Sequence, residues 1–238
     1  MFQYDNQKKT RLGAGFITLE LIFHLAVREM RKTHGNAALG LFMTVAQSVI
    51  MILVMFVLFD FLGLRRFAVR GDFLLFVMSG VFMFMTHVAV IGAVAKADGP
   101  TSPMMMHSPM NPVVAICGAA LAALYRQTLS AIVILFLYHA LFTPVYIRDP
   151  VGVLGLHLLA WASGLGIGMV LRAMRPWQPD LMSILTSIIM RINVIASGKM
   201  VLANNMSPTL RNWFDWNPLF HVIDQGRGYI FLNYSPHF

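Results

Sequence analysis

Four stretches of this chain, 36–59, 73–95, 127–147 and 150–171, contain no Lys, Arg, Asp or Glu, and a fifth, 181–203, is interrupted only by Arg191 and Lys199. Each is long enough to cross the ~30 Å hydrocarbon core as a helix, which takes roughly 20 residues. A bilayer offers no water to backbone N–H and C=O groups, so such segments must be helices and not irregular chain. The pattern predicts an all-α membrane protein with five transmembrane helices. Composition agrees. Of the 238 residues, 58% are hydrophobic and 12% charged, about half the charged share of a soluble domain. No soluble catalytic domain of ~100 residues fits beside the spans. The net charge of +8 points to anionic lipid headgroups. Basic residues are not interleaved with aromatics, so nucleic acid is not an expected partner. The lone Cys117 excludes an intramolecular disulfide and a Cys-based metal site.

The chain divides into three parts. Residues 1–35 form a basic tail and a helix with a polar stripe of Glu20, His24, Arg28, Arg31 and Lys32 on a largely apolar surface. A helix of that kind lies in the membrane interface with its cations near lipid phosphates. Gly35-Asn36 is a helix stop. The tail has no short apolar core followed by an Ala-x-Ala-like site, so no cleaved signal peptide is expected. Residues 36–203 form the transmembrane domain. Within it, the loop over 98–112 carries Pro100, Pro103, Pro109 and Pro112, too many for a continuous helix. Val113–Tyr125 reads as a separate helix, divided by Arg126 from the third span, 127–147. Gly164-x-x-x-Gly168 in the fourth span permits close helix contact. Residues 204–238 are dense in aromatics, among them Trp213, Phe214, Trp216, Phe220 and Tyr229, which suit a membrane–water boundary. Lys and Arg are in excess on the side of the spans that carries the N-terminus, which places that end in the cytoplasm.

Motifs exclude most chemistry. Gly-x-Ser-x-Gly and the phosphate loop Gly-x4-Gly-Lys-Ser/Thr are absent, and the eight histidines show no His-x-x-x-His spacing, so neither an enzyme nor a metal site is expected. The spans also lack internal carboxylates, which proton-coupled carriers need. Arg191 stands out. A midspan Arg costs several kcal/mol unless it meets a partner or water. It either lines a polar passage that attracts anionic cargo or makes a structural bond.

Two local sequences carry a resemblance. Leu25–Gly35, reading LAVREMRKTHG, with Leu39-Gly40, and Trp216–Ile223, reading WNPLFHVI, are similar to segments of the permease subunits of type-2 ABC exporters for capsular and O-antigen-type polysaccharides. The resemblance covers Gly15–Tyr234. It implies a permease, without an ATPase site or cofactor of its own, in the bacterial inner membrane. Two copies would pair with two separate ABC ATPase subunits that bind ATP and Mg. It further implies an interfacial helix carrying Arg28, Glu29, Arg31 and Lys32. The ATPase-coupling loop falls at 97–111, with Met104, Met105, Met106 and His107 at its centre. The fifth span and a re-entrant segment after it line the glycan path, with Arg191, Lys199, Trp213, Phe214, Trp216, Phe220 and Tyr229 as its residues. The family has a sixth span, of which none is visible before Phe238. Two alternatives stand beside glycan export. One is a type-2 permease for a lipid or drug, and the other a non-transporting subunit of a larger membrane complex.

Overall fold

The computed structural model describes residues 11–32, 36–61, 63, 72–99, 102, 111–199 and 206–237. Among them are eight helices and no strand: α1 (Arg11–Lys32), α2 (Ala37–Phe61), α3 (Phe73–Ala95), α4 (Pro112–Leu141), α5 (Pro150–Met174), α6 (Pro179–Ala196), α7 (Pro208–Asn212) and α8 (Pro218–Ile230). Helices α2 to α6 are the five long, apolar ones that match the expected spans. One end of the bundle carries α1 and the C-terminal ends of α3 and α5. It is called the α1 end here, and the other the far end.

Helix starts follow from side-chain chemistry. Asn111, Asp149 and Asn217 each precede a proline, and each accepts hydrogen bonds from backbone N–H groups of the first turn. The proline at the first position has no N–H to satisfy, and its φ is already helical. Asp72 caps α3 in the same way through Leu74 and Leu75 N–H. Its second oxygen accepts from Tyr138 Oη at 2.5 Å and Thr143 Oγ1 at 3.0 Å, fastening α3 to the end of α4.

Helix α3 is the centre. It holds no charge and is buried along most of its length. Helix α5 lies against it through Ala160, Gly164 and Gly168. A Cβ on Gly164 would lie 2.5 Å from the His87 carbonyl oxygen, and one on Gly168 would lie 2.9 Å from Val94 Cβ. Small residues bring the backbones together, which is the main source of helix affinity in lipid. Polar side chains then bridge the helices. His87 Nδ1 lies 3.1 Å from Ala160 O and 3.0 Å from Ser163 Oγ, and His157 Nε2 lies 3.0 Å from Thr128 Oγ1.

Helix α1 crosses α4, where Leu25 and Ala26 are buried against Gly118. Phe16, Leu19 and Phe23 remain exposed on its other side.

Three boundaries differ from the sequence expectation. The third span, expected to reach 147, ends at Leu141, because Pro144 has no N–H for a helix ladder and disfavours a helical residue before it. Arg126 does not divide two helices, since α4 is continuous from Pro112 to Leu141. Arg is a good helix former, and side chains in a helix lean toward its N-terminus. Arg126 therefore reaches along α4 to α1, where Nη1 donates to Glu29 O at 3.4 Å. The fifth span also stops early. Helix α6 ends at Ala196 rather than 203, because Gly198 adopts φ +67°, the left-handed helix stop that glycine takes at least cost. The turn sits beside Gly80 of α3, about 10 Å short of the start of α3 at 1.5 Å per residue.

Candidate functional site

Helix α6 buries Met182, Thr186, Asn193 and Ala196 and leaves two stripes uncovered. One is apolar, with Ile184, Ile188, Ile192 and Ile195 exposed. The other is polar, with Ser183, Ser187 and Arg191 at four-residue spacing, all exposed, on one helix face. Arg191 makes no hydrogen bond or ion pair with another described residue. The polar stripe begins in a cleft of about 220 Å³ at the α1 end, lined by Lys96 and Arg175 together with Leu171, Met182, Ser183 and Thr186. Arg175 Nη1 donates to Ala95 O at 3.0 Å, which fixes the guanidinium at the cleft. A cationic mouth thus leads along α6 to a third cation.

Beyond α6 the chain turns back into the bundle. Asn217, at the start of α8, donates through Nδ2 to Asn193 Oδ1 at 3.0 Å and Ala196 O at 2.9 Å. Leu219 and Ile223 of α8 pack with Phe84 of α3 and Ala160 of α5, half way along both helices. In the last turn of α8, Tyr229 O accepts from Asp149 N at 3.0 Å, at the far end. Helix α8 therefore rises from the middle of the bundle to its far surface, as a re-entrant segment does. Arg227, 1% exposed, donates from Nη1 to Gly198 O at 3.2 Å and from Nη2 to Lys199 O at 2.9 Å. Its guanidinium lies 4.2 Å from the Phe76 ring centre. It thereby satisfies two carbonyls of the turn that follows α6, which no helix ladder pairs. Asp224, one turn earlier on α8, accepts from Tyr234 Oη and from His237 N. This bolts the last described residues to the re-entrant helix.

The predicted path residues separate into two groups. Arg191, Trp213, Trp216 and Tyr229 are exposed, and Phe214 is half-buried. Lys199 and Phe220 are not on any open surface, each being 2% exposed. Lys199 Nζ lies 3.2 Å from the centre of the Phe84 ring, and Phe220 sits where a side chain on Gly198 would go. The end of α6 turns Lys199 inward, and Phe220, on α8, packs against Gly198 at that turn. At the far surface, Tyr229 borders a second cleft of about 540 Å³ with Arg148, Gln225 and Asn233.

At the α1 end, Arg28 Nη1 lies 3.8 Å and Lys32 Nζ 3.9 Å from the Asp98 carboxylate, and Lys32 Nζ lies 3.1 Å from Glu29 Oε1. Arg31 is exposed. These contacts hold α1 to the chain just after α3. Met104, Met105, Met106 and His107 lie outside the described residues.

The profile of the family described as ABC-2 type transporter matches residues 20–231, from within α1 to the end of α8. The chain belongs to the ABC-2 type transporter family. No curated protein matches it. An ABC-2 membrane domain is the permease component of an ABC exporter. It works with an ABC ATPase and carries no ATPase site itself. The elements described above therefore belong to a permease: a multi-pass bundle, and a fifth span that stops early and is answered by a re-entrant helix. Several residues of this permease are not singled out by the sequence. Arg227 and Asp224 lie in a segment whose aromatics dominate its composition, and Asn217 enters only as a letter of the Trp216–Ile223 resemblance, without an inward-facing role. Only the spacing of Asn217, Asp224 and Arg227 around one side of α8 could have shown that these polar groups face inward. Lys96 and Arg175 count there only as loop charges.

Proposed function

We propose that the chain is the permease of an ATP-driven exporter that carries a polysaccharide or a lipid-linked glycan across the inner membrane. Two copies act with two ATPase subunits, and the α1 end faces the cytoplasm. What supports the reading most is the uncovered polar stripe of α6, which runs from the Lys96–Arg175 cleft to Arg191. A guanidinium facing lipid would be costly. The same group facing a water-filled passage between two copies costs little and attracts anionic cargo. The isoleucine stripe beside it, with Leu39, Phe42, Ile50 and Val57 exposed on α2, supplies apolar surface for the second copy. Trp213, Trp216 and Tyr229 offer ring faces on which the C–H side of a sugar stacks. The similarity of Leu25–Gly35 and Trp216–Ile223 to polysaccharide permeases favours a glycan over a lipid or drug.

In this account the ATPase docks on the loop 97–111, through Met104–Met106, with His107 beside them. Arg28 and Lys32 on Asp98 transmit its movement to α1 and the bundle. The deciding experiment is deletion of the reading frame in its host, with cell-surface glycan measured by composition. Loss of one glycan, restored by the wild-type chain, is expected. An intact surface glycan together with sensitivity to a hydrophobic drug would instead assign the lipid or drug class.

A further inference from the structure

Between α4 and α5, toward the far end, the bundle is not closed. A crevice of about 210 Å³ lies there, walled by Leu135 and Ala131 of α4, Val153 and Leu154 of α5, and Phe82 of α3. Its mouth is flanked by Ile132 and Leu154, both more than half exposed and both within membrane-spanning helices. It therefore opens sideways into the bilayer. At the far end Ile147, Pro150 and Ile230 close it, held by the Asp149 N to Tyr229 O bond.

The lining decides what can enter. Three polar side chains reach the crevice, and each already has a partner. Ser79 Oγ donates to Phe76 O at 2.7 Å, and Thr128 Oγ1 lies 3.0 Å from His157 Nε2. No polar ligand is called for, and water would find few partners there. The volume equals that of about seven liquid waters at ~30 Å³ each, whereas a helix with its side chains is about 10 Å across. A single hydrocarbon chain fits, and lipid is the medium at the mouth. We infer that this crevice is a lipid site, occupied by one acyl chain of a phospholipid from the leaflet at the far end. The chain wedges α4 from α5 and touches α8 at Ile230, so it supports the re-entrant helix from the lipid side. This inference needs only the membrane-spanning fold and is independent of the cargo.

The test uses the whole chain in nanodiscs of phosphatidylethanolamine and phosphatidylglycerol, doped with a phosphatidylcholine bearing a diazirine in its acyl chain. After irradiation, labelled peptides are mapped by mass spectrometry. Labelling of Leu135 and Val153 is expected to exceed severalfold that of Phe136 and Leu159, which are exposed on the same two membrane-spanning helices. Ala131→Phe and Val153→Phe fill the crevice from opposite walls, and either one should abolish the excess while leaving Phe136 and Leu159 labelled. Equal labelling of crevice and belt in the wild-type protein overturns the inference without any variant. So does an excess that survives filling in a variant that folds. Absence of label in the crevice together with a crosslink between two copies at Ile132 would show that protein, not lipid, covers it.

Discussion

Arg191 and Arg227 are both arginines inside the membrane domain, and their surroundings give them opposite roles. Arg227 is enclosed and directs its donors to the Gly198 and Lys199 carbonyls. Arg227→Met keeps most of the volume and loses the donors. Each orphaned buried carbonyl costs about 1–3 kcal/mol, so the variant should melt well below the wild type, with export falling only as folded protein is lost. Arg191 is exposed and binds no described neighbour. Arg191→Leu should shift stability by no more than the ~0.5 kcal/mol typical of surface changes. Export of an acidic glycan should nevertheless fall sharply. Arg191→Lys should retain part of it, because the charge remains and the planar fork of donors does not. Melting temperature and export measured on the same preparations separate the two residues. Strong destabilisation by Arg191→Leu would return Arg191 to a structural role.

At the scale of elements, the α3–α5 contact depends on glycine position rather than glycine number. Helix α5 has Gly155, Gly164 and Gly168, yet a Cβ on Gly155 meets nothing within 4 Å while one on Gly164 meets the His87 backbone. Gly164→Val should cost about 1–3 kcal/mol through overpacking, and Gly155→Val should leave thermal stability in nanodiscs almost unchanged. Equal losses at both positions would mean that glycine affects α5 through its helix propensity and not through packing. Much of this level is readable in the sequence. Uncharged runs locate α2, α3 and α5 to within a few residues, and the Asp–Pro and Asn–Pro pairs stand at helix starts. The course of α4 is not readable, because a charge looks like a boundary until a neighbour is known to receive it, and Glu29 O is contributed by another element. The end of α6 is hidden for a similar reason. Gly198 stops the helix, but the apolar residues that follow, Val201 to Ala203, read as continued span. The candidate site is half legible. Arg191, Trp213, Trp216 and Tyr229 are on open surface, whereas residue type alone assigns Lys199 and Phe220 to a path and tertiary packing claims them for the interior.

At the scale of the whole molecule, the two ends of the permease have different tasks. The α1 end gathers Arg28, Lys32 and Asp98 where the loop leaves α3. Asp98→Arg would place like charges together, and although each exposed pair is worth only about 0–1 kcal/mol, the loop root would lose its fixed position. Membrane insertion should be normal, and co-purification with the ATPase should weaken. Replacing Met104, Met105 and Met106 by Ser should weaken it further, since Met is an adaptable filler of grooves on a partner surface. Full recovery of the ATPase with both variants would move the docking surface elsewhere. The far end, by contrast, is closed by the re-entrant helix and its bolts, and under the proposed function the cargo would leave there. The most direct measurement of the account as a whole is transport itself: the purified chain and its ATPase reconstituted in proteoliposomes, with a lipid-linked acidic glycan supplied on the ATP side. ATP-dependent appearance of the glycan on the opposite side, lost in Arg191→Leu while ATPase association persists, is the predicted result. An assembled complex that hydrolyses ATP and moves phospholipid or drug, but leaves the glycan where it began, would contradict it.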